Sequence, residues 1–257
     1  MSEPEENKRP WLRDVQKVSH AIAQKNREDA LNYLFKWRYT SFDILKLNAG
    51  IKATSGGQFI KKMIEQKLIT KVFVPTLKKE ALTLTGAGLA VAADSALAEA
   101  EKHTSYLRIP STQARHHLYV QRVMLNRKTG ATEIHPENPL PHVDEDTSHQ
   151  KVTDVMYMKN MAWHAVEVEL VRKSTPKIMV AYDAFAQAIN YEQISEVEYV
   201  FAHEAVHRLY VELFNKPEWQ LYKWDARSKQ YKPTTKTPVA SRIREKFKFT
   251  LEKHVYD

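Results

Sequence analysis

The sequence predicts an α/β (α+β) chain in two parts. A helical N-terminal part is closed by a β-hairpin, and a layered part alternates strands and helices around a small mixed sheet. Three observations carry this expectation. Helical periodicity runs through residues 26–67. Two short β-like runs follow, separated by polar Lys78-Lys79-Glu80. From Lys151 onward, strand-like and helix-like runs alternate. With 257 residues the chain is long for one small domain and fits two modest ones. An apolar content of 43% suffices for a proper core.

Composition narrows the function classes. No apolar run approaches the ~18 residues of a membrane span. The charged start MSEPEENKRP lacks the apolar stretch of a secretory signal, so a cytoplasmic protein is expected. The absence of cysteine excludes disulfides, zinc ribbons and thiol nucleophiles. A net charge of +8 favours a polyanionic partner through counterion release. From Ala226 to Asp257, nine Lys or Arg face three acids, which reads either as a basic arm or closing helix or as a solvated tail.

Residues 1–25 are polar and charged and are expected to form a flexible tail. From Asn26 to Arg38 an apolar stripe of Ala30, Leu31, Leu34, Phe35 and Trp37 predicts a helix. Thr40-Ser41 starts a second, through Leu47, and Asn48-Ala49-Gly50 stops it. Thr54 or Ser55 caps a third, Gln58 to Lys67, with Phe59, Ile60, Met63 and Ile64 on one face. The runs Thr70–Pro75 and Ala81–Leu84 predict a hairpin, and Leu84-Thr85-Gly86-Ala87-Gly88 leads into an Ala-rich helix reaching Glu101. Three helices, a hairpin and this re-entry predict a winged helix-turn-helix over residues 26–103. The third helix of such a domain enters the major groove and its wing touches the backbone. Gln58, Lys61, Lys62 and Lys67 would then face DNA, with Lys71, Lys78 and Lys79 on or beside the wing. A winged helix used for protein contacts alone is the bland alternative.

Residues 102–113 read as a linker, with Pro110 against a continuous helix. A helix from Ala114 to Asn126 carries His116, His117 and Gln121, which either fill space or contact phosphate. Residues 127–150 read as a mobile loop; His135, His142, Asp144, Asp146 and His149 lie there without fixed geometry.

The α/β domain is expected over residues 104–225, ahead of a basic segment at 226–257. Val152–Met158 and Trp163–Val171 read as paired strands around Lys159-Asn160. A helix capped by Ser174 or Thr175, with Pro176 at its first position, buries Ile178, Ala181, Tyr182, Phe185, Ala188 and Ile189. A strand at Val197–Ala202, a helix at Glu204–Asn215 and a last strand at Leu221–Trp224 complete it.

Chemistry concentrates in the first two strands. Glu167 and Glu169 lie two apart, so they share one face of an extended chain while Val166, Val168 and Leu170 take the other. Two carboxylates on the face of a core strand repel each other and lose hydration. A divalent cation compensates both, and Asp154 on the neighbouring strand would complete its site. A solvated edge strand with no ligand is the alternative.

His203-Glu204-Ala205-Val206-His207 matches the HExxH pattern of zinc peptidases. That pattern needs both histidines on one helix and a third ligand. The preceding VEYVFA reads as a strand that stops at the motif, and Tyr210 and Leu213 depart from the extended form. Glu218 would have to be the third ligand, just past the helix end.

In the order of its parts the chain resembles the MobC-type plasmid mobilisation relaxases and, more distantly, the replication-relaxation proteins. The parts are the winged helix, RHHLYVQ, the Asp and Glu-x-Glu strands, and the helix from Lys177 to Tyr182. The resemblance implies a restriction-endonuclease-like nuclease core. It implies nicking of one strand of supercoiled DNA at the origin of transfer, with an accessory mobilisation protein and a coupling protein as partners. Asp154, Glu167 and Glu169 become ligands of Mg2+ or Mn2+. The usual core has Asp, then Glu-x-Lys, and here Glu169 stands at the lysine position; Lys173 or Lys177 would take over the lysine's role. Cleavage would use water or a tyrosine, with Tyr119, Tyr157 and Tyr182 near the motifs. The alternatives are a non-catalytic winged-helix plasmid DNA-binding protein and an HExxH peptidase-like regulator.

Overall fold

The computed structural model describes residues 10–51, 53–93, 113–137, 140 and 151–252. It divides into two compact units, residues 1–121 and 122–257.

In the first unit, α1 (Pro10–Trp37) starts well before the Asn26 expected from periodicity. Residues 10–25 are therefore helical rather than part of a flexible tail. The apolar stripe at the start of the helix, Val15, Val18 and Ile22, stays exposed, so no buried face announces it. Pro10 suits a first helical position, where the missing N–H costs nothing. Further along, Ala30, Leu31, Leu34 and Phe35 enter a core with Leu45, Ile60, Met63, Ile69, Leu82 and Leu84. After β1 (Tyr39–Thr40), α2 (Phe42–Asn48) is capped by Ser41, whose hydroxyl accepts from the Ile44 N–H at 3.3 Å. Helix α3 (Ala53–Glu65) begins a turn earlier than expected and sends Ile60 and Met63 inward. Strands β2 (Ile69–Val74) and β3 (Lys79–Leu84) form the expected hairpin, and β1 adds to it in the order β1-β3-β2.

The Leu-Thr-x-x-Gly re-entry has a physical role. Thr85 donates its hydroxyl to the Leu68 carbonyl at 3.2 Å and accepts from the Gly88 N–H at 3.1 Å, opening α4 (Gly86–Ala93). A Cβ at Gly88 would sit 1.8 Å from the Leu68 carbonyl oxygen, so only glycine fits. The expected continuation of α4 to Glu101 and the linker up to residue 112 lie outside the described residues. Helix α5 (Ala114–Arg127) follows, and the division between the units falls within it, at 121/122.

The second unit is built on a mixed five-stranded sheet, and the α/β class holds. Its strands are β4 (Ala131–Pro136), β5 (Val155–Lys159), β6 (Ala162–Glu169), β7 (Glu196–Phe201) and β10 (Phe247–Leu251), in the order β10-β7-β6-β5-β4. Strands β4, β5 and β6 are antiparallel neighbours, whereas β7 runs parallel to both β6 and β10. Helix α6 (Thr175–Asn190) makes the crossover from β6 to β7, and α7 (Glu204–Phe214) follows β7. Strands β8 (Glu218–Asp225) and β9 (Gln230–Pro238) form a separate two-stranded ribbon, and short α8 (Ser241–Arg244) leads into β10. Two expectations change here. Strand β4 occupies part of the supposed mobile loop; as a polar edge strand ending at Pro136 it lacks an apolar signal. The basic C-terminal segment is half of a ribbon and an edge strand rather than a closing helix. The candidate loop residues His142, Asp144, Asp146 and His149 lie outside the described residues, and His135 sits on β4 within 3.2 Å of Glu133.

One face of the sheet packs on α6 and α7 through an aromatic cluster. Tyr182, Phe185, Tyr199, Phe201, Tyr210, Phe214 and Trp219 are its large members. The β5–β6 turn is Asn160-Met161, both at positive φ (51° and 60°), as a two-residue hairpin demands. Among the described residues no helix is long and apolar enough to cross a membrane.

Candidate functional site

That turn fixes the register and thereby the site. Val155 pairs with Val166, so the ladder's next step sets Asp154 opposite Glu167. The two are interlocked. The Asp154 N–H donates to Glu167 Oε1 at 3.1 Å, and the Val168 N–H donates to Asp154 Oδ2 at 2.7 Å. Glu167 and Glu169 share a face, as expected, and Val166 and Val168 are buried on the other. In the parallel pairing with β7, Glu167 lies beside Tyr199 and Glu169 beside Phe201. Both acids thus point into the aromatic side of the sheet, with exposures of 1% and 3%. The solvated-edge alternative fails on this burial.

Buried carboxylates need compensating charge. Lys151 Nζ lies 2.7 Å from Glu167 Oε2 and 5.5 Å from the Phe185 ring centroid. Lys173 Nζ lies 2.6 Å from Glu169 Oε1. Burial nevertheless dominates at Glu167 and pushes its carboxyl up to about 7, with Lys151 opposing and Asp154 adding to the rise. Burial also raises Glu169, against the pull of Lys173. At Lys173, burial works against the charged form, but Glu169 and Glu167 outweigh it and hold the ammonium above its ordinary value. The hydroxyls of Tyr199 and Tyr210 are buried in this region and lack a hydrogen-bond partner; that of Tyr210 influences Glu169 without reaching hydrogen-bond geometry.

Hard oxygen donors suit Mg2+ or Mn2+, and Mg2+ commonly takes one or two carboxylates and completes its shell with water and phosphate. Asp154, just before β5, and Glu167 on β6 match that donor set. Among the described residues, however, no group of three His, Asp or Glu is arranged to hold a metal ion. The expected trio is a pair, Asp154 and Glu167, with Glu169 turned to Lys173. Of the two lysines offered for the missing Glu-x-Lys position, Lys173 reaches the acids. Lys177, in the first turn of α6, is exposed and forms no ion pair among the described residues. Lys151 escaped sequence reasoning altogether. It lies outside any strand, where neither parity nor register applies, and its only signal is its position three residues before Asp154.

The candidate DNA-contacting residues divide. Gln58, Lys61, Lys62 and Lys67 are exposed on and just after α3, and Lys71, Lys78 and Lys79 are exposed on the hairpin. Lys61 lies 3.9 Å from Glu65, and Lys71 lies 2.7 Å from Glu80. Gln121 is removed from the DNA-contacting set. It is fully buried, its amide donates to the Tyr39 carbonyl at 2.8 Å, and it accepts from the Tyr33 hydroxyl at 3.3 Å. A strut with both ends engaged in the core has nothing left for phosphate. His117 stacks on Tyr39 at 5.7 Å with His116 beside it at 6.3 Å, so both histidines are packed at least in part.

The HExxH motif lacks its geometry. Strand β7 ends at Phe201 and α7 begins at Glu204, which leaves His203 as an exposed, extended N-cap residue outside the helix. His207 packs edge-on against Phe201 at 5.2 Å. The tyrosines near the motifs are core residues: Tyr119, Tyr157 and Tyr182 are all buried.

No family model matches the chain. No curated protein matches it either. Among solved structures, it is similar to the PcaV transcriptional regulator from Streptomyces coelicolor in complex with its natural ligand. The identity is 17% over 48% of this chain and 97% of that one, with a TM-score of 0.28. A likeness that weak supports no inference about fold or function.

Proposed function

We propose that the chain is a metal-dependent DNA endonuclease of the plasmid mobilisation relaxase type. In this reading the first unit is a winged helix-turn-helix that binds duplex DNA. The second is a restriction-endonuclease-like core that nicks one strand of supercoiled plasmid at its origin of transfer. An accessory mobilisation protein and a coupling protein are its partners. The observation that carries the reading is the interlocked pair of Asp154, just before β5, and Glu167 on β6, one of them buried where an acid is costly. The helix–helix–helix–hairpin order of the first unit and its exposed α3 lysines support the DNA-binding half.

Asp154 and Glu167 would hold one Mg2+ or Mn2+. When bound, such an ion polarises a phosphoryl oxygen and lowers the pKa of bound water. The chain's own residues supply the rest. The Val168 N–H fixes the Asp154 carboxylate, and Lys151 with the Asp154 N–H fixes both oxygens of Glu167. Lys173, held by Glu169, presents an ammonium to the charge that develops on the phosphate.

One specific observation favours a second reading, a non-catalytic DNA-binding protein with structural acids: Lys151 and Lys173 each already neutralise a glutamate. One experiment separates the two. Supercoiled origin plasmid is incubated with the protein and Mg2+ or Mn2+, and open circles are quantified. The nuclease reading expects nicking by the wild type and at least a ~100-fold loss in Asp154→Asn and Glu167→Gln. Binding with no nicking under either metal leaves the second reading. Undiminished nicking by both variants removes these residues from the chemistry.

A further inference from the structure

We infer that the β8–β9 ribbon is a second DNA-contacting element, one that sets the exposed cations of its turn and strands against the phosphates of a duplex. The inference rests on the DNA-binding part of the function proposed above but involves none of its residues. The base of the ribbon is anchored. Trp219 is 2% exposed, its indole donates to the Phe214 carbonyl at 3.1 Å, and its ring lies 5.4 Å from those of Tyr182 and Phe214. Leu221 and Tyr222 also pack on the core. Beyond them Lys223, Arg227, Lys229 and Lys232 are exposed, and Lys236, opposite Gln220 nearer the base, is exposed too.

Register sorts the two faces. Trp224 pairs with Tyr231 and Tyr222 with Pro233, so the outer half of the ribbon has an aromatic side continuous with core-packed Tyr222. Lys223 pairs with Lys232 on the other side, the one that carries Trp219 and Leu221 nearer the base. Like charges directly opposite in a ladder are destabilising. Asp225 relieves one of them by pairing with Lys232, but it is also engaged in the turn, accepting from the Arg227 N–H at 2.9 Å. Arg227, Lys229 and Lys236 form no ion pair among the described residues. From Glu218 to Pro238 there are five cations against two acids.

Basic residues and prolines also protect exposed strand edges from pairing with other chains. Edge protection does not account for Arg227 and Lys229, which lie in the turn outside both strands. Ser228, Gln230, Thr234, Thr235 and Thr237 lie between the cations, and neutral donors of this kind join Lys and Arg in contacting phosphate oxygens. A two-stranded ribbon also matches the width of the major groove. Charge, donor chemistry and shape therefore agree on a duplex.

The test uses the full chain without divalent metal. Binding to fluorescent duplex DNA is followed by anisotropy over a salt series for the wild type, a ribbon variant (Arg227→Gln, Lys229→Gln, Lys236→Gln) and an α3 variant (Lys61→Gln, Lys62→Gln). Circular dichroism checks that each is folded, and Arg227→Lys with Lys229→Arg serves as a charge-preserving control. The ribbon variant is expected to bind about 10-fold more weakly near 100 mM salt, with a salt slope reduced by about 2 to 3, and the control to bind as the wild type does. An unchanged slope in a folded ribbon variant, with loss confined to the α3 variant, overturns the inference while DNA binding stands. Wild-type affinity for polyglutamate equal to that for duplex overturns the choice of partner. If the wild type binds no duplex at all, the DNA-binding part of the proposed function falls and the inference falls with it.

Discussion

Replacing Glu167 with glutamine should stabilise the protein at neutral and higher pH. Glutamine keeps the size of the side chain and mimics the protonated acid. Burial lifts the Glu167 carboxyl from 4.5 to about 7 despite the Lys151 ammonium 2.7 Å away. At about 1.4 kcal/mol per tenfold change in proton affinity, charging it costs the folded state roughly 3 kcal/mol more than the unfolded state. The sign follows from the folded state binding the proton more tightly. The favourable contribution is full below 4.5 and is lost as pH rises through about 7. Glu167→Gln cannot ionise and keeps the acid-side level throughout. The two proteins should therefore be equally stable near about pH 4, and the variant more stable by roughly 3 kcal/mol near about pH 8.

Urea unfolding across that pH range, read by tryptophan fluorescence, measures this directly; buried Trp219 sits in the same aromatic cluster. A divalent ion held at the proposed site would nearly close this gap. Ligand at about 100 times its Kd stabilises a protein that binds only when folded by about 2.7 kcal/mol, and the variant should forgo this gain. Parallel pH profiles for the two proteins would refute the argument. So would a variant less stable near about pH 8, because the Lys151 ion pair would then outweigh the cost of burial.

Three further substitutions test neighbouring claims. Lys173→Met strands Glu169, and because Lys173 is 41% exposed the expected loss is about 1 to 2 kcal/mol rather than that of a fully buried pair, measured by urea unfolding. Gln121→Leu orphans the Tyr39 carbonyl and should cost about 1 to 3 kcal/mol while leaving duplex affinity in the anisotropy assay unchanged. Arg127 bridges Glu198, through contacts of 2.6 and 2.7 Å, and Glu252, at 2.6 Å. Arg127→Ala removes the guanidinium from two partly buried acids and should lower stability by about 3 kcal/mol at neutral pH, with partial recovery in acid that a thermal melt series would detect.

That Asp154 would lie beside the Glu-x-Glu strand was legible from the paired strand runs, but its register against Glu167 was not, because the runs centre on Lys159-Asn160 whereas the turn falls at Asn160-Met161. A two-residue turn at Asn160-Met161 and a side-chain period of two determine which residues oppose each other. Helices with a buried stripe, such as the second half of α1, were legible from their apolar period. The first half of α1 was not, since Val15, Val18 and Ile22 face solvent and leave only propensity as a guide. Strand β4 and the β8–β9 ribbon were misread because their polar residues imitate loops and tails; tertiary pairing creates those strands. Lys151 and Lys173 meet their glutamates through side chains leaving irregular segments, a property of three-dimensional closure that no local pattern encodes. Gln121 misled for the opposite reason: a polar residue on a helix reads as surface until its core partners are known.

The two glutamates bear on why this sheet keeps acids at all. Glu167 and Glu169 occupy the same face as Ala165 and lie beside Tyr199 and Phe201, all buried in apolar packing. A leucine at either position would extend that core and remove the need for a lysine. The chain instead carries two acids, two lysines to offset them, and the buried hydroxyl of Tyr210 acting on one of the acids. Buried charge concentrated at one end of one strand and beside a third carboxylate is the feature on which the proposed metal site rests. The comparison of Glu167→Gln with Glu167→Leu weighs that argument. If both stabilise the fold and both abolish metal-linked stabilisation, the acids are kept for what they bind. If Glu167→Leu unfolds the second unit, they are kept for the sheet itself.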